Sequence, residues 1–193
     1  MNRFLALAII TVGMSFPLSA QEHTPRPPGT PANTPAPARP SAVDNSGWVH
    51  FNSEEGRFSV LMPKIPEDKT ETKETAHGPY TTHLFIVKGT TTVYLIGWVD
   101  YDPQFNFDRK AELDANRDNF VRGIKAKLLT SLPTVIDGYS AIEFTAETAE
   151  MVFRSRVYMV GRRPYQIVIG SKKGTEDFAT VNRFFNSFKV NLR

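Results

Sequence analysis

The stretch RVYMVGRRPYQIVIG, residues 156–170, places two apolar β-type runs on either side of Gly161, Arg162, Arg163 and Pro164. Glycine supplies the turn dihedrals and proline is tolerated where a strand begins, so this reads as an antiparallel hairpin with a cationic tip. A second run, residues 93–99 (VYLIGWV), is apolar on both faces. A strand of that kind belongs in the middle of a sheet, with material packed above and below it. Together these two features require a layered β-structure with a sheet covered on both sides.

The remaining elements fit around that sheet. GWVHF and RFSVLMP, separated by Glu54-Glu55-Gly56, predict a first pair of strands, and YTTHLFIVK another. Residues 69–75 are polar or charged throughout and read as an edge strand protected by charge. The Asp137-Gly138 pair predicts a hairpin turn between residues 134–136 and YSAIEFTAE. The spacing of Leu113, Phe120, Val121, Ile124 and Leu128 predicts an amphipathic helix over about 108–129, capped by Asp108. A second helix is expected over 175–187, with Phe178, Val181, Phe184, Phe185 and Phe188 on its apolar side. Strands, a helix, more strands and a helix define an α+β domain, an antiparallel sheet packed on by helices. Arg117 falls within the apolar stripe of the first helix, which predicts a buried ion pair, with Glu143 as the candidate partner.

Residues 1–20, MNRFLALAIITVGMSFPLSA, carry Arg3, an apolar core and a small-residue end, the pattern of a secretory signal peptide. Residues 21–44 follow as a linker in which PRPPGTPANTPAPARP holds seven prolines and no aromatic residue. Such a segment stiffens toward polyproline II and buries nothing. Residues 45–193 form the folded domain. The chain has no cysteine, so neither a disulfide nor a lipidated thiol is available. The formal charge of +3, from which Arg3 leaves with the signal, is close to neutral and argues against a nucleic-acid partner. The expected product is an exported protein, periplasmic or secreted, with no membrane span after cleavage, and a monomer.

Chemistry is sparse. His23, His50, His77 and His83 show no metal-ligand spacing, so neither a metal nor another cofactor is expected. Asp100 and Asp102 follow an apolar strand and could share one side of it, as a hard cation would require. No phosphate loop accompanies them, and a metal-dependent enzyme built on this pair is the remote reading. Lys172 and Lys173 precede the second helix and make a weak anion-site candidate. Arg154, Arg156, Arg162 and Arg163 lie on one hairpin and are the candidate interaction residues, second to their simpler role of keeping a hairpin end soluble.

The segments GRFSVLMPKIPE, VDYDP, LDANRDNFVRGIKAKLL, DGYSAIEF, RVYMVGRRPYQIVI and FFNSFKV occur in that order. In this arrangement the chain resembles secreted bacterial relatives of the Mog1/PsbP-like fold over about 140 residues. The resemblance implies an antiparallel sheet sandwiched by helices and a non-catalytic accessory domain that docks onto another envelope or secreted protein. The alternative expectation is a carrier of a small apolar or amphiphilic ligand, which would need a pocket lined by Trp98, Phe184 and Phe185.

Overall fold

The computed structural model describes residues 40–43, 47–74, 79–101 and 108–191. In chain order these form β1 (Pro40–Val43), β2 (Val49–Ser53), β3 (Phe58–Met62), β4 (Glu67–Asp68), β5 (Glu71–Lys73), β6 (Tyr80–Lys88) and β7 (Thr92–Tyr101). Then follow α1 (Arg109–Gly123), β8 (Lys127–Ile136), β9 (Tyr139–Glu147), β10 (Met151–Val160), β11 (Arg163–Lys172), α2 (Phe178–Ser187) and β12 (Lys189–Val190). The fold is α+β, and its paired strands run antiparallel in two sheets. The larger has the order β4-β6-β7-β11-β10-β9-β8, with β5 also on β6; the smaller has the order β1-β2-β3-β12.

The both-faces-apolar run lies where its composition requires. β7 sits between β6 and β11, with Ile96 opposite Phe85 on one side and Ile167 on the other. Alternation along β7 and β11 divides the core. Tyr94, Ile96, Trp98, Ile167 and Ile169 face Phe51, Phe58, Val60 and Met62 of the small sheet and Val181, Phe184 and Phe185 of α2. Leu95, Val99, Val157 and Val168 face Leu113 and Phe120 of α1. The first face is dominated by interlocked rings: Phe58 lies 5.7 Å from Trp98, and Tyr94 lies 5.2 Å from Phe184. Burying one such side chain is worth roughly 1.5–3 kcal/mol, so this layer supplies much of the stability.

Local chemistry explains several boundaries. Asp108 caps α1 by accepting from the Ala111 N–H at 2.8 Å. The helix closes six residues before the expected 129. Lys125 takes a left-handed φ of 53°, the Ala126 N–H reaches Val121 O at 2.9 Å, and the Lys125 N–H reaches Arg122 O at 3.1 Å. That is the paired 6→1 and 5→2 closure usually built on glycine, here carried by lysine. Leu128 therefore belongs to β8, and β8 is a ten-residue strand of which residues 134–136 are only the end. Asp137 and Gly138 (φ 51° and 81°) turn into β9, and Gly161 (φ 62°) turns β10 into β11, as the sequence predicted. The second helix begins at Phe178 and not at 175, after Asp177 accepts from the Ala179 N–H and the Thr180 hydroxyl.

Two further expectations are corrected. The linker expected over residues 21–44 does not reach that end: residues 40–43 form β1 and pair with β2, Pro40 opposite Phe51. Arg117 and Glu143 do not pair. The buried side of α1 consists of Glu112, Leu113, Asn116, Asn119 and Phe120, and centres on Asn116. Arg117 is one residue further on, about 100° around the helix. Its guanidinium is held by Asp114 and Asp118 on its own helix, at 3.0 and 2.7 Å, and by the Ser131 hydroxyl.

Candidate functional site

The arginine hairpin folds back on the domain. Arg163 binds Asp100 at 2.6 Å, donates to Glu55 O at 3.0 Å, and stands over the Trp98 ring. Arg156 binds Glu143 at 2.6 Å, takes Asn186 as a second partner, and lies over Phe185. Arg154 covers the Phe178 ring at 4.7 Å. Arg162 is exposed in the turn. Arg154, Arg156 and Arg163 thus act within the domain, joining its layers.

Asp100 is the centre of a cluster at one end of the large sheet. His83, 4% exposed, stacks flat on Trp98 with ring centroids 4.3 Å apart. Its Nε2 lies 3.5 Å from Asp100 Oδ2 and its Nδ1 lies 3.7 Å from Glu55. Trp98 Nε1 donates to Asp100, and the Tyr165 hydroxyl donates to Gly56 O at 2.8 Å. Burial pushes the Asp100 carboxyl up, but the bond from His83 and the Arg163 charge outweigh it and hold the group below its ordinary range. These contacts tie the β2–β3 turn of the small sheet to β6, β7 and β11. Asp102, the second member of the proposed carboxylate pair, lies outside the described residues. With Arg163 on Asp100, this carboxylate is already neutralised by the protein. No group of three or more His, Cys, Asp or Glu positioned for a metal occurs among the described residues.

Lys172 and Lys173 are also placed differently from the expectation. Lys173 pairs with Glu147 at 2.9 Å, and the backbone N–H groups of both lysines donate to Thr91 O and Glu150 O. The start of α2 lies several residues away and is already capped by the Asp177 carboxylate, so the lysines and the helix N-terminus do not converge on an anion. The pocket expected of a carrier is likewise occupied by the protein. Trp98 and Phe184 are 0% exposed, Phe185 is buried, and all three belong to one packed cluster.

Two features escaped the sequence reading. The first is the polar underside of α1. Glu112 is buried, accepts from the Tyr101 hydroxyl, and accepts from Asn116 Nδ2 at 2.9 Å. Burial raises the carboxyl of Glu112 and the hydroxyl of Tyr101. The spacing Glu112, Asn116, Asn119 was the available signal, since those positions share one side of a helix. The second is the open edge of the large sheet. β8 carries exposed Leu129, Leu132 (62%) and Val135 (69%), and its one charge is Lys127. The opposite edge, β4 and β5, reads Glu67, Asp68, Glu71, Thr72, Lys73 and is exposed throughout. Short charged strands protect an edge from adding another strand, whereas a long apolar one invites it.

No family model matches the chain, and no curated protein matches it. Among solved structures, a crystal structure from Bacteroides thetaiotaomicron is similar at 12% identity and a TM-score of 0.31, covering 69% of this chain and 45% of that one. The aligned part is less than half of that protein, and at that score the likeness carries no argument. Among the described residues, no helix is long and apolar enough to cross a membrane.

Proposed function

We propose that this chain is an exported, non-catalytic accessory domain of the Mog1/PsbP-like kind that docks onto another envelope or secreted protein through the β8 edge. The observation that carries this reading is the contrast between the two sheet edges: one short, broken and charged, the other ten residues long with Leu129, Leu132 and Val135 exposed. The β8 edge offers its backbone to an extended peptide on either side of Pro133, which has no N–H to give, and Leu132 and Val135 flank that interruption on opposite faces of the strand. The filled core around Trp98 and Phe184 weighs against the carrier alternative, and the Arg163–Asp100 pair weighs against a cation held by Asp100.

The test is site-specific photocrosslinking in the native envelope. A probe replaces Leu132 on β8 or, in the control, Thr72 on β5. A discrete protein adduct from position 132, absent at 72 and lost when Val135 is changed to Lys, supports docking at β8. Equal adducts at both positions, or a partner lost only in the Arg162→Ser/Arg163→Ser double variant, would move the interface to the hairpin. No adduct at any of these positions would remove the docking reading.

A further inference from the structure

Among the described residues, three buried side-chain atoms have no hydrogen-bond partner: Asn116 Oδ1, Asn119 Nδ2 and Gln166 Oε1. All three residues are at least 97% buried. They belong to one interface. Asn116 and Asn119 lie a turn apart on the sheet-facing side of α1. Gln166 alternates with Ile167 on β11 and so shares the α1 side with Val168. Directly across from Gln166 stands Gly97, which adds no side chain to that face. Ser155, also buried, accepts from Gln166 Nε2 at 3.2 Å.

The amide orientation of Asn116 is fixed by its neighbours. Its Nδ2 donates to both the backbone oxygen and the carboxylate of Glu112, at 2.8 and 2.9 Å. Exchanging nitrogen and oxygen would set oxygen against oxygen, so Oδ1 must point away from Glu112. Buried polar groups are almost always paired, with protein or with a bound molecule. An unpaired one keeps the full penalty of leaving water. Three together would weigh heavily against the narrow margin that separates folded from unfolded chains. Leucine at these positions would avoid that penalty, as α2 does with Val181, Phe184 and Phe185 on the other face.

We propose that the seam between α1 and the large sheet is an internal binding site for a compact ligand that both donates and accepts hydrogen bonds. Asn116 Oδ1 and Gln166 Oε1 take its donors, and Asn119 Nδ2 supplies its acceptor. Solvent water and a primary carboxamide are the two sources of that chemistry. The site is separate from the β8 edge and does not depend on docking there.

The experiment uses the purified folded chain, labelled with ¹⁵N. Cross-relaxation between water and the side-chain amide protons of Asn116 and Asn119 reads bound solvent; mass spectrometry of the heat-denatured supernatant reads a released solute; and titration with acetamide reads carboxamide uptake. Water contacts at both amides, weakened in Gln166→Met, establish solvent as the occupant. A released carboxamide, or amide shifts that saturate with acetamide and vanish in Gln166→Met, establish the second source. Asn119→Leu serves as an independent variant should Gln166→Met fold poorly, and it removes the same Asn116 signals. Asn116 amide protons that show neither water contact nor a response to acetamide, in a chain that releases nothing, overturn the proposal. A crystal structure in which the three amides bond one another directly does the same.

Discussion

The two helices cover opposite faces of one sheet, yet they are attached by different chemistry. α2 inserts Val181, Phe184 and Phe185 into a layer of rings, whereas α1 sets Glu112, Asn116 and Asn119 beside Leu113 and Phe120. Apolar docking gains free energy simply by excluding water. Polar docking gains little unless every buried group is paired, and it is then specific about what pairs with it. The sheet therefore has one face that supplies stability and one whose composition is better suited to selecting a ligand.

The largest expected effect breaks the aromatic face. Phe184→Ala should lower stability by about 3–5 kcal/mol, the usual loss for a fully buried ring. Urea denaturation would measure it, and a loss below that of Asn116→Leu would invert the comparison. The polar face should instead reveal itself through pH. The Glu112 carboxyl is raised above its ordinary value of 4.5, so the folded chain holds this proton longer than the unfolded one. Its contribution to stability is present below that value and declines as pH rises through the folded value. Glu112→Gln should flatten that decline while Asp100→Asn, whose carboxyl is held low, should remove a stabilisation that is otherwise lost on acidification. Thermal midpoints across pH 3–8 would show opposite changes in slope; matching slopes would mean the two sites are electrostatically alike.

Smaller effects sharpen the picture at the helix ends. Asp108→Ala and Asp177→Ala should each cost about 1 kcal/mol, because both carboxylates hold first-turn N–H groups. A markedly larger loss at Asp108 would show that α1 depends on its cap more than on its packing. Smallest of these, Arg117→Ala should cost about 0.5–1 kcal/mol, the upper range for a partly exposed ion-pair network, by the same urea measurement.

Where pattern and packing coincide, the sequence was a sufficient guide. β7 needed neighbours on both faces and Asp137-Gly138 needed a left-handed turn, and both are where those needs put them; of the charged edge strand expected over 69–75, the structure forms β5 at Glu71–Lys73 and adds the two-residue β4 before it. α1 was misread because its apolar spacing continues through Ile124 and Leu128 while its closure uses Lys125, a residue that gives no stop signal. That single boundary also hid β8, of which only the end, residues 134–136, is legible as strand. The wheel then centred on Arg117, since a count of apolar residues cannot see that Asn116 is the buried centre. The hairpin arginines posed a related problem. A cation's location is legible from alternation, but its partner is set by tertiary neighbours such as Asp100 and Glu143, which lie on other strands.

The strand order also has a consequence for the route to the native state. β8 through β11 form a meander joined by short turns, while β7 pairs with β11 across everything between, Trp98 opposite Tyr165. The meander can close locally, but the β7–β11 seam must bring together the ends of a long loop and bears its entropy. Refolding should therefore be governed by that one closure, with Ile96→Val, and Ile142→Val in the meander that closes before it, both slowing the refolding limb measured by stopped flow.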